Sequence, residues 1–441
     1  MFSPFWQHAG FKRYFRNTAW LMAEKIVRMI LAAFVGVWIA RYLGPENYGV
    51  LSYVLSFVTL FSALAYLGLD GVLVKNLIDK PHDRDTLLGT GFTLRFAGAL
   101  FLLFATSLAG AFFVHDQFLQ LLIFIISLTA IFQSLEVIDY YFQSQVLSYY
   151  VVCVQIVQIA ISTFIKIWLI LQKGTLVSFA LVYLLDGLIV AIGLGIIYHK
   201  RKFSILYWKL DLSLMKQLLK QSLPFFLSGA MISLYMRIDQ IMVQHMLGSR
   251  FTGVYAAAIN LCEIWYFIPM VICASLFPAI ITAKNISPEI YSKRLQQLYD
   301  LMVLLSVLIA VPMSIFADRI VDMLLGPGYH AAGNVLRIHT WSGVFVYLGV
   351  ASGKWLLAEN LNHIVLQRTF CGLVINVILN LIFIPGFGIV GAAWATFFNL
   401  IVTAYFFDLF NRSTVISFKM KSESLLIWKT FLKLKHAKNI V

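Results

Sequence analysis

Long apolar runs alternate with short polar connections from one end of the chain to the other. The runs lie near residues 18–40, 48–69, 88–110, 118–138, 147–171, 175–198, 223–246, 254–281, 299–317, 332–356, 365–384 and 388–410. Each is close to the roughly 20 residues that a helix needs to cross a hydrocarbon core of about 30 Å. The runs are continuously apolar, without the period of two that a barrel strand carries, so helices are predicted throughout. The pattern predicts an all-α polytopic membrane protein with about twelve transmembrane helices.

Composition supports the same reading. The chain of 441 residues is 61% hydrophobic and only 12% charged, with a mean hydropathy of +0.84. A soluble domain carries about 25% charged residues, so most of this surface must meet lipid. The net charge of +14 does not point to nucleic acid, because the basic residues sit between the apolar runs, where they mark topology. With the N-terminus inside, the cytoplasmic connections hold Lys12, Arg13, Arg16, Lys75, Lys80, Arg84, Lys200, Arg201, Lys202, Lys209, Lys216, Lys220, Lys284, Lys293, Arg294 and Lys354, and the tail after 411 holds seven more. The opposite side holds Arg41, Lys173, Arg250 and Arg319. This asymmetry predicts an even number of spans with both termini in the cytoplasm. The N-terminal apolar run lacks a small-residue cleavage site and is expected to stay as a helix.

The chain therefore divides into an N-terminal six-helix bundle (1–199), a cytoplasmic amphipathic linker (200–222), a C-terminal six-helix bundle (223–411) and a basic cytoplasmic tail (412–441). In the linker, Leu214, Met215, Leu218 and Leu219 form a stripe opposite Lys216 and Lys220. In the tail, Leu425, Leu426, Trp428, Phe431 and Leu432 mix with Lys429, Lys433 and Lys435. Both segments are expected to lie on an anionic leaflet. A weak repeat relates the bundles. Leu43-Gly44 and Gly49-Val50 follow the first run, and Leu247-Gly248 and Gly253-Val254 follow the seventh. Two halves in the same orientation imply a pseudo-two-fold axis along the membrane normal.

These residues also carry a resemblance. The run Ile39-Ala40-Arg41-Tyr42-Leu43-Gly44-Pro45-Glu46-Asn47-Tyr48-Gly49 resembles the Wzx-type flippases that move O-antigen and other polysaccharide lipids. So do Leu223-Pro224, Asp239 and Leu247-Gly248 with Gly253-Val254-Tyr255, and the run Ile384-Pro385-Gly386-Phe387-Gly388-Ile389-Val390-Gly391-Ala392-Ala393. The resemblance covers essentially the whole chain. It implies the MATE-like fold of the MOP superfamily, with two bundles in a V around a central cavity. It implies transport of an undecaprenyl-pyrophosphate-linked oligosaccharide from the cytoplasmic to the periplasmic leaflet of the bacterial inner membrane. Membrane lipids, the polysaccharide polymerase and the chain-length machinery are the partners it suggests; it implies no cofactor and no nucleic acid.

Charges inside the runs are the candidate chemistry, because each costs a few kcal/mol at bilayer depth unless it meets water or a partner. Lys25 and Arg28 share a helix face, and Glu24 can pair with Arg28 one turn away. They could form a cationic wall for the pyrophosphate or a self-neutralised cluster. Arg95 is a further cationic candidate, or a snorkelling residue. Arg237 and Asp239 point in nearly opposite directions on one helix. Arg237 is a headgroup candidate. Asp239 is either the inter-helix counterpart of Arg237 or an ion-coupling carboxylate. Lys166, Asp186 and Glu263 are weaker candidates.

Catalysis finds no support: HExxH, GxSxG and Walker A sequences are missing, and the histidines are scattered. Cys153, Cys262, Cys273 and Cys371 read as buried, inert thiols and offer no metal site. The alternative to a flippase is a cation-coupled multidrug exporter on the same fold, which would want an acidic cavity. A glycosyltransferase or polymerase would need a large external loop, and the loops here are short.

Overall fold

The computed structural model describes residues 9–426, which are helical with short turns between helices. Two compact units form. The first comprises Met1–Leu43 and Val50–Arg237, and the second Gly44–Gly49 and Ile238–Val441. Among the described residues, eight segments are long and apolar enough to cross a membrane.

The first unit is built from α1 (Ala9–Tyr66), α2 (Asp70–Asp79), α3 (Arg84–Phe113), α4 (Gln117–Ser127), α5 (Thr129–Gln133), α6 (Val137–Ser144), α7 (Tyr149–Leu171), α8 (Leu176–Lys200) and the first part of α9 (Leu212–Leu247). At 1.5 Å per residue, α1 would be about 87 Å long if straight, far more than a bilayer needs. It is two helices, broken at Gly44, whose φ of 71° is left-handed. The predicted span 118–138 is also interrupted. A 3-10 turn at Ser134–Glu136 separates α5 from α6 and sets Glu136 at a break in the ladder.

The linker differs from expectation. Its second half is continuous with the helix that follows: α9 runs from Leu212 through Pro224 to Leu247 as one helix. Asp211 opens it, its Oδ1 accepting from the backbone N–H groups of Ser213 and Leu214. The apolar stripe faces protein, with Leu218 fully buried and Leu214 and Met215 packed against the core of the first unit. Only Leu219 of the four stays exposed. The stripe thereby joins the buried cluster that includes Leu73, Leu88 and Tyr198.

The second unit adds α10 (Ser249–Glu263), α11 (Phe267–Lys284), α12 (Pro288–Ile315), α13 (Ala317–Leu324), α14 (Ala332–Ala358), α15 (Asn362–Ala404) and α16 (Val415–Leu425). α15 is again two helices, broken at Gly388 with φ 61°. Gly248 (φ 88°) repeats the backbone role of Gly44, so the sequence repeat has a conformational counterpart. Tyr48, beside the first motif, accepts a hydrogen bond from Asn260 Nδ2 at 2.7 Å and packs edge-on against Tyr329.

The start of the tail does not lie on a surface. α16 packs on α12: Gln296 Nε2 donates to Ser424 Oγ at 2.8 Å, Ser424 Oγ donates to Asp300 Oδ1 at 2.7 Å, and Tyr299 and Ser417 share a hydrogen bond. Lys421 is fully buried. Its ammonium donates to Asp408 Oδ2 and to the Ala404 carbonyl, both at 2.7 Å. A buried ammonium needs such partners to offset its lost hydration. Trp428, Lys429, Phe431, Leu432, Lys433 and Lys435 lie outside the described residues.

Candidate functional site

Polar side chains gather inside the first unit. Arg95 on α3 is only 1% exposed. Its Nη2 meets Glu136 Oε2 at 3.0 Å, and its Nη1 donates to the Tyr140 hydroxyl. That hydroxyl passes the chain on, donating to Asp70 Oδ1 at 2.7 Å. The guanidinium also stacks 4.8 Å from the Tyr66 ring centre. Such a network recovers by pairing what burial of the charges costs. As placed, Arg95 offers no surface to a ligand.

Two further embedded cations of this unit are also matched. Arg28 Nε holds Glu24 Oε1 at 2.6 Å, with Glu24 buried and Arg28 44% exposed. Lys166 lies 3.5 Å from Asp186, which also accepts from Gln158 and Ser162. Lys25 is exposed. Three adjoining cavities have Tyr66 in common. The largest, about 540 Å³, is bordered by Arg28, Gln133, Glu136, Gln155 and Asp186. The next, about 380 Å³, adds Asp70 and Asp139. The third, about 300 Å³, lies beside Gly68 in the turn between α1 and α2. Carboxylates therefore outnumber cations on these walls. Among the described residues of this interior, Arg28, Arg95 and Lys166 each pair with an acid.

The second unit holds a different arrangement. Asp239 on α9 accepts from Thr396 Oγ1 at 2.6 Å, Asn380 Nδ2 at 2.7 Å and Tyr255 OH at 3.3 Å. Asn380 Nδ2 also donates to Asn376 Oδ1 at 2.8 Å. The two asparagines sit one turn apart on α15 and are almost fully buried. Among the described residues, Asp239 has no ion pair with Lys, Arg or His, so Arg237 is not its counterpart. Arg237 itself is half-buried and carries no ion pair there.

Several of these partners escaped the sequence reading. Asp70 and Tyr140 sit at the ends of apolar runs, where a polar residue is unremarked. Asn376 and Asn380 carried a usable signal: two carboxamides four apart on one face of an apolar helix.

A long, repeated chain, helical over the described residues and with polar clusters inside each unit, defines a multi-pass membrane protein. Comparison with solved structures agrees. An inward-facing multidrug-resistance MATE transporter of the MOP superfamily superposes with a TM-score of 0.72, over 91% of this chain and 96% of that one, at 14% identity. The lipid II flippase MurJ in an inward closed conformation gives 0.69, over 94% and 92%, at 15% identity. Those likenesses establish a MATE-like fold.

The family model described as "Polysaccharide biosynthesis protein" matches residues 14–284, more than half of the 441 residues. The chain belongs to that family. A second model, MatE, matches residues 224–382. A Haloferax volcanii protein named as a probable low-salt glycan biosynthesis flippase is 26% identical over 166 residues. That alignment spans 37% of this chain and about a third (34%) of the relative.

Proposed function

We propose that the protein is a flippase that carries an undecaprenyl-pyrophosphate-linked oligosaccharide, an O-antigen or similar repeat unit, from the cytoplasmic to the periplasmic leaflet of the bacterial inner membrane. The observation that carries this reading is the polysaccharide-biosynthesis family match over residues 14–284 on a MATE-like fold. In this reading twelve spans form two six-helix halves, both termini are cytoplasmic, and access to a central cavity alternates while the isoprenoid tail stays in the bilayer. The polymerase and chain-length machinery would receive the product. Lys25, Arg28 and Arg237 are the cations assigned to the pyrophosphate, since a headgroup crossing the membrane needs fixed positive charge.

Asp239 is assigned to ion coupling. Its carboxylate is surrounded by Tyr255, Asn376, Asn380 and Thr396, neutral oxygen-bearing groups, without a basic partner among the described residues. An unpaired carboxylate at that position is favoured by a bound monovalent cation or a proton. Filling the site in one access state and emptying it in the other would couple a gradient to the cycle.

One observation favours the second reading, a cation-coupled exporter: the carboxylates Asp70, Glu136, Asp139 and Asp186 around the first unit's cavities. Deletion of the gene separates the two. A flippase predicts that lipid-linked repeat units accumulate on the cytoplasmic leaflet and that surface glycan is short and unpolymerised. Normal surface glycan with raised dye sensitivity would select the exporter. Orientation is checked with Ser249→Cys and Ser287→Cys in a Cys-free background. An impermeant thiol reagent added from outside should label the first and spare the second.

A further inference from the structure

The largest of the three cavities that share Tyr66 has a chemistry of its own. Among its described wall residues, two carboxamides and the Tyr66 hydroxyl carry no hydrogen bond. Gln133 and Gln155 border it, and neither is hydrogen-bonded among the described residues, whereas Gln158 is held by Asp186. Each free carboxamide offers both an N–H donor and a carbonyl acceptor. Arg28 is the one cation among the described wall residues, and Glu24 already holds it. Glu136 is bound by Arg95, which leaves it further lone pairs for hydroxyl donors. Tyr66 and Tyr183 add ring surface.

This set suits a neutral, hydroxyl-rich ligand. A polyanion would find no free cation among the described residues, since Arg28, Arg95 and Lys166 each already hold an acid, and its charges would go uncompensated in a confined site. A lipophilic cation would leave both carboxamides unpaired, which is costly for a buried polar group. A sugar ring satisfies donors and acceptors together and lays its C–H face on an aromatic ring. The volume of about 540 Å³ lies in the range of roughly 300–1,000 Å³ typical of small-molecule sites.

We propose that this cavity is a saccharide subsite, in which Gln133 and Gln155 read the hydroxyl or acetamido groups of an uncharged sugar of the cargo while the phosphates are held outside it. The assignment rests on the flippase reading and deepens it by separating sugar recognition from phosphate recognition. Lys25 and Arg237 do not border the cavity, and Arg28 on its wall stands where the sugar would join the phosphates.

Saturation-transfer NMR on the purified full-length protein tests it, with a panel of free hexoses, 6-deoxyhexoses and N-acetylhexosamines, and with inorganic pyrophosphate as competitor. At least one sugar should receive saturation. Gln133→Leu with Gln155→Leu should reduce that signal at least tenfold with the melting temperature unchanged. Pyrophosphate should leave the signal in place. A signal indifferent to both Gln substitutions, no signal from any sugar, or displacement by pyrophosphate overturns the proposal. Complementation of the deletion strain is read separately. Sugar binding without restored glycan display would refute the flippase reading and leave the subsite standing. Restored display without sugar binding would do the reverse.

Discussion

Gly49 and Gly253 meet backbone to backbone within the second unit. A Cβ built on Gly49 would collide with the Ser249 carbonyl oxygen and lie 2.7 Å from Gly253 N; one built on Gly253 would collide with the Pro45 carbonyl oxygen and lie 2.8 Å from Gly49 N. The contact is reciprocal, as expected of two repeat motifs that cross each other. Small residues are what allow helix backbones to approach this closely in a membrane protein.

The collision is with backbone, which cannot rotate away. Gly49→Ala and Gly253→Ala should each cost about 1–3 kcal/mol or more and lower the melting temperature in detergent. Gly36 and Gly353 have nothing within 4 Å of a built Cβ. Alanine there should be neutral or stabilise by roughly 0.5–1 kcal/mol through helix propensity. Equal melting temperatures across all four variants would contradict the crossing.

Arg28 and Arg237 call for different controls. Arg28→Ala strips the partner from Glu24, which is 4% exposed, and should lower stability as well as glycan display. Pairing it with Glu24→Gln should restore the fold and leave the display defect. Arg237 has no ion pair to lose among the described residues, so Arg237→Ala should abolish display with an unchanged melting temperature. Full display from Arg237→Ala and from the Glu24→Gln/Arg28→Ala pair, measured with membrane blots, would remove both arginines from the phosphate site.

Asp239 should respond to ions. In proteoliposomes, transport by the native protein should depend on either a Na⁺ gradient or pH. Asp239→Asn should abolish that dependence, and Thr396→Val or Asn380→Leu should weaken it about tenfold or more. The melting temperature in NaCl against choline chloride provides a second readout for a metal ion. Unaltered ion dependence in Asp239→Asn would rule the carboxylate out as the coupling group.

The Lys421–Asp408 pair should behave as a buried ion pair does. Lys421→Met alone leaves Asp408 buried and uncompensated, at a cost of about 3–5 kcal/mol. Lys421→Met with Asp408→Leu should regain most of it. A double-mutant cycle on thermal unfolding, with protease accessibility of α16 as a local readout, measures the coupling. Single and double variants of equal stability would mean that the pair does not hold α16.

Glu359 closes a small clasp, accepting from Lys284 Nζ at 2.8–2.9 Å and from Tyr291 OH at 2.7 Å. Burial pushes its carboxyl up, but these donors outweigh that and hold it below the ordinary value of 4.5. A lowered folded pKa contributes stability above the unfolded value, and that stability fades as pH falls below about 4.5. Glu359→Gln should cost within about 1 kcal/mol at pH 7 and should flatten the melting curve's pH dependence between about pH 5 and 3. An identical pH profile in the variant would mean that the clasp carries no linkage.

Sequence alone determined the class of this protein and the grammar of its backbone. Run length, apolar composition and the breaks at Gly44, Gly248 and Gly388 are local properties, since each helix must satisfy its own backbone in lipid and each left-handed turn selects glycine at that position. The Glu24–Arg28 pair was legible for the same reason, being one helical turn apart. Tertiary structure decided what each charge meets. Arg95 finds Glu136 41 residues away and Asp239 finds Asn380 141 residues away, while the stripe of Leu214, Met215 and Leu218 faces protein rather than a leaflet. Partners of that kind depend on which faces of distant helices pack together, and hydropathy along one helix carries no information about the face opposite it.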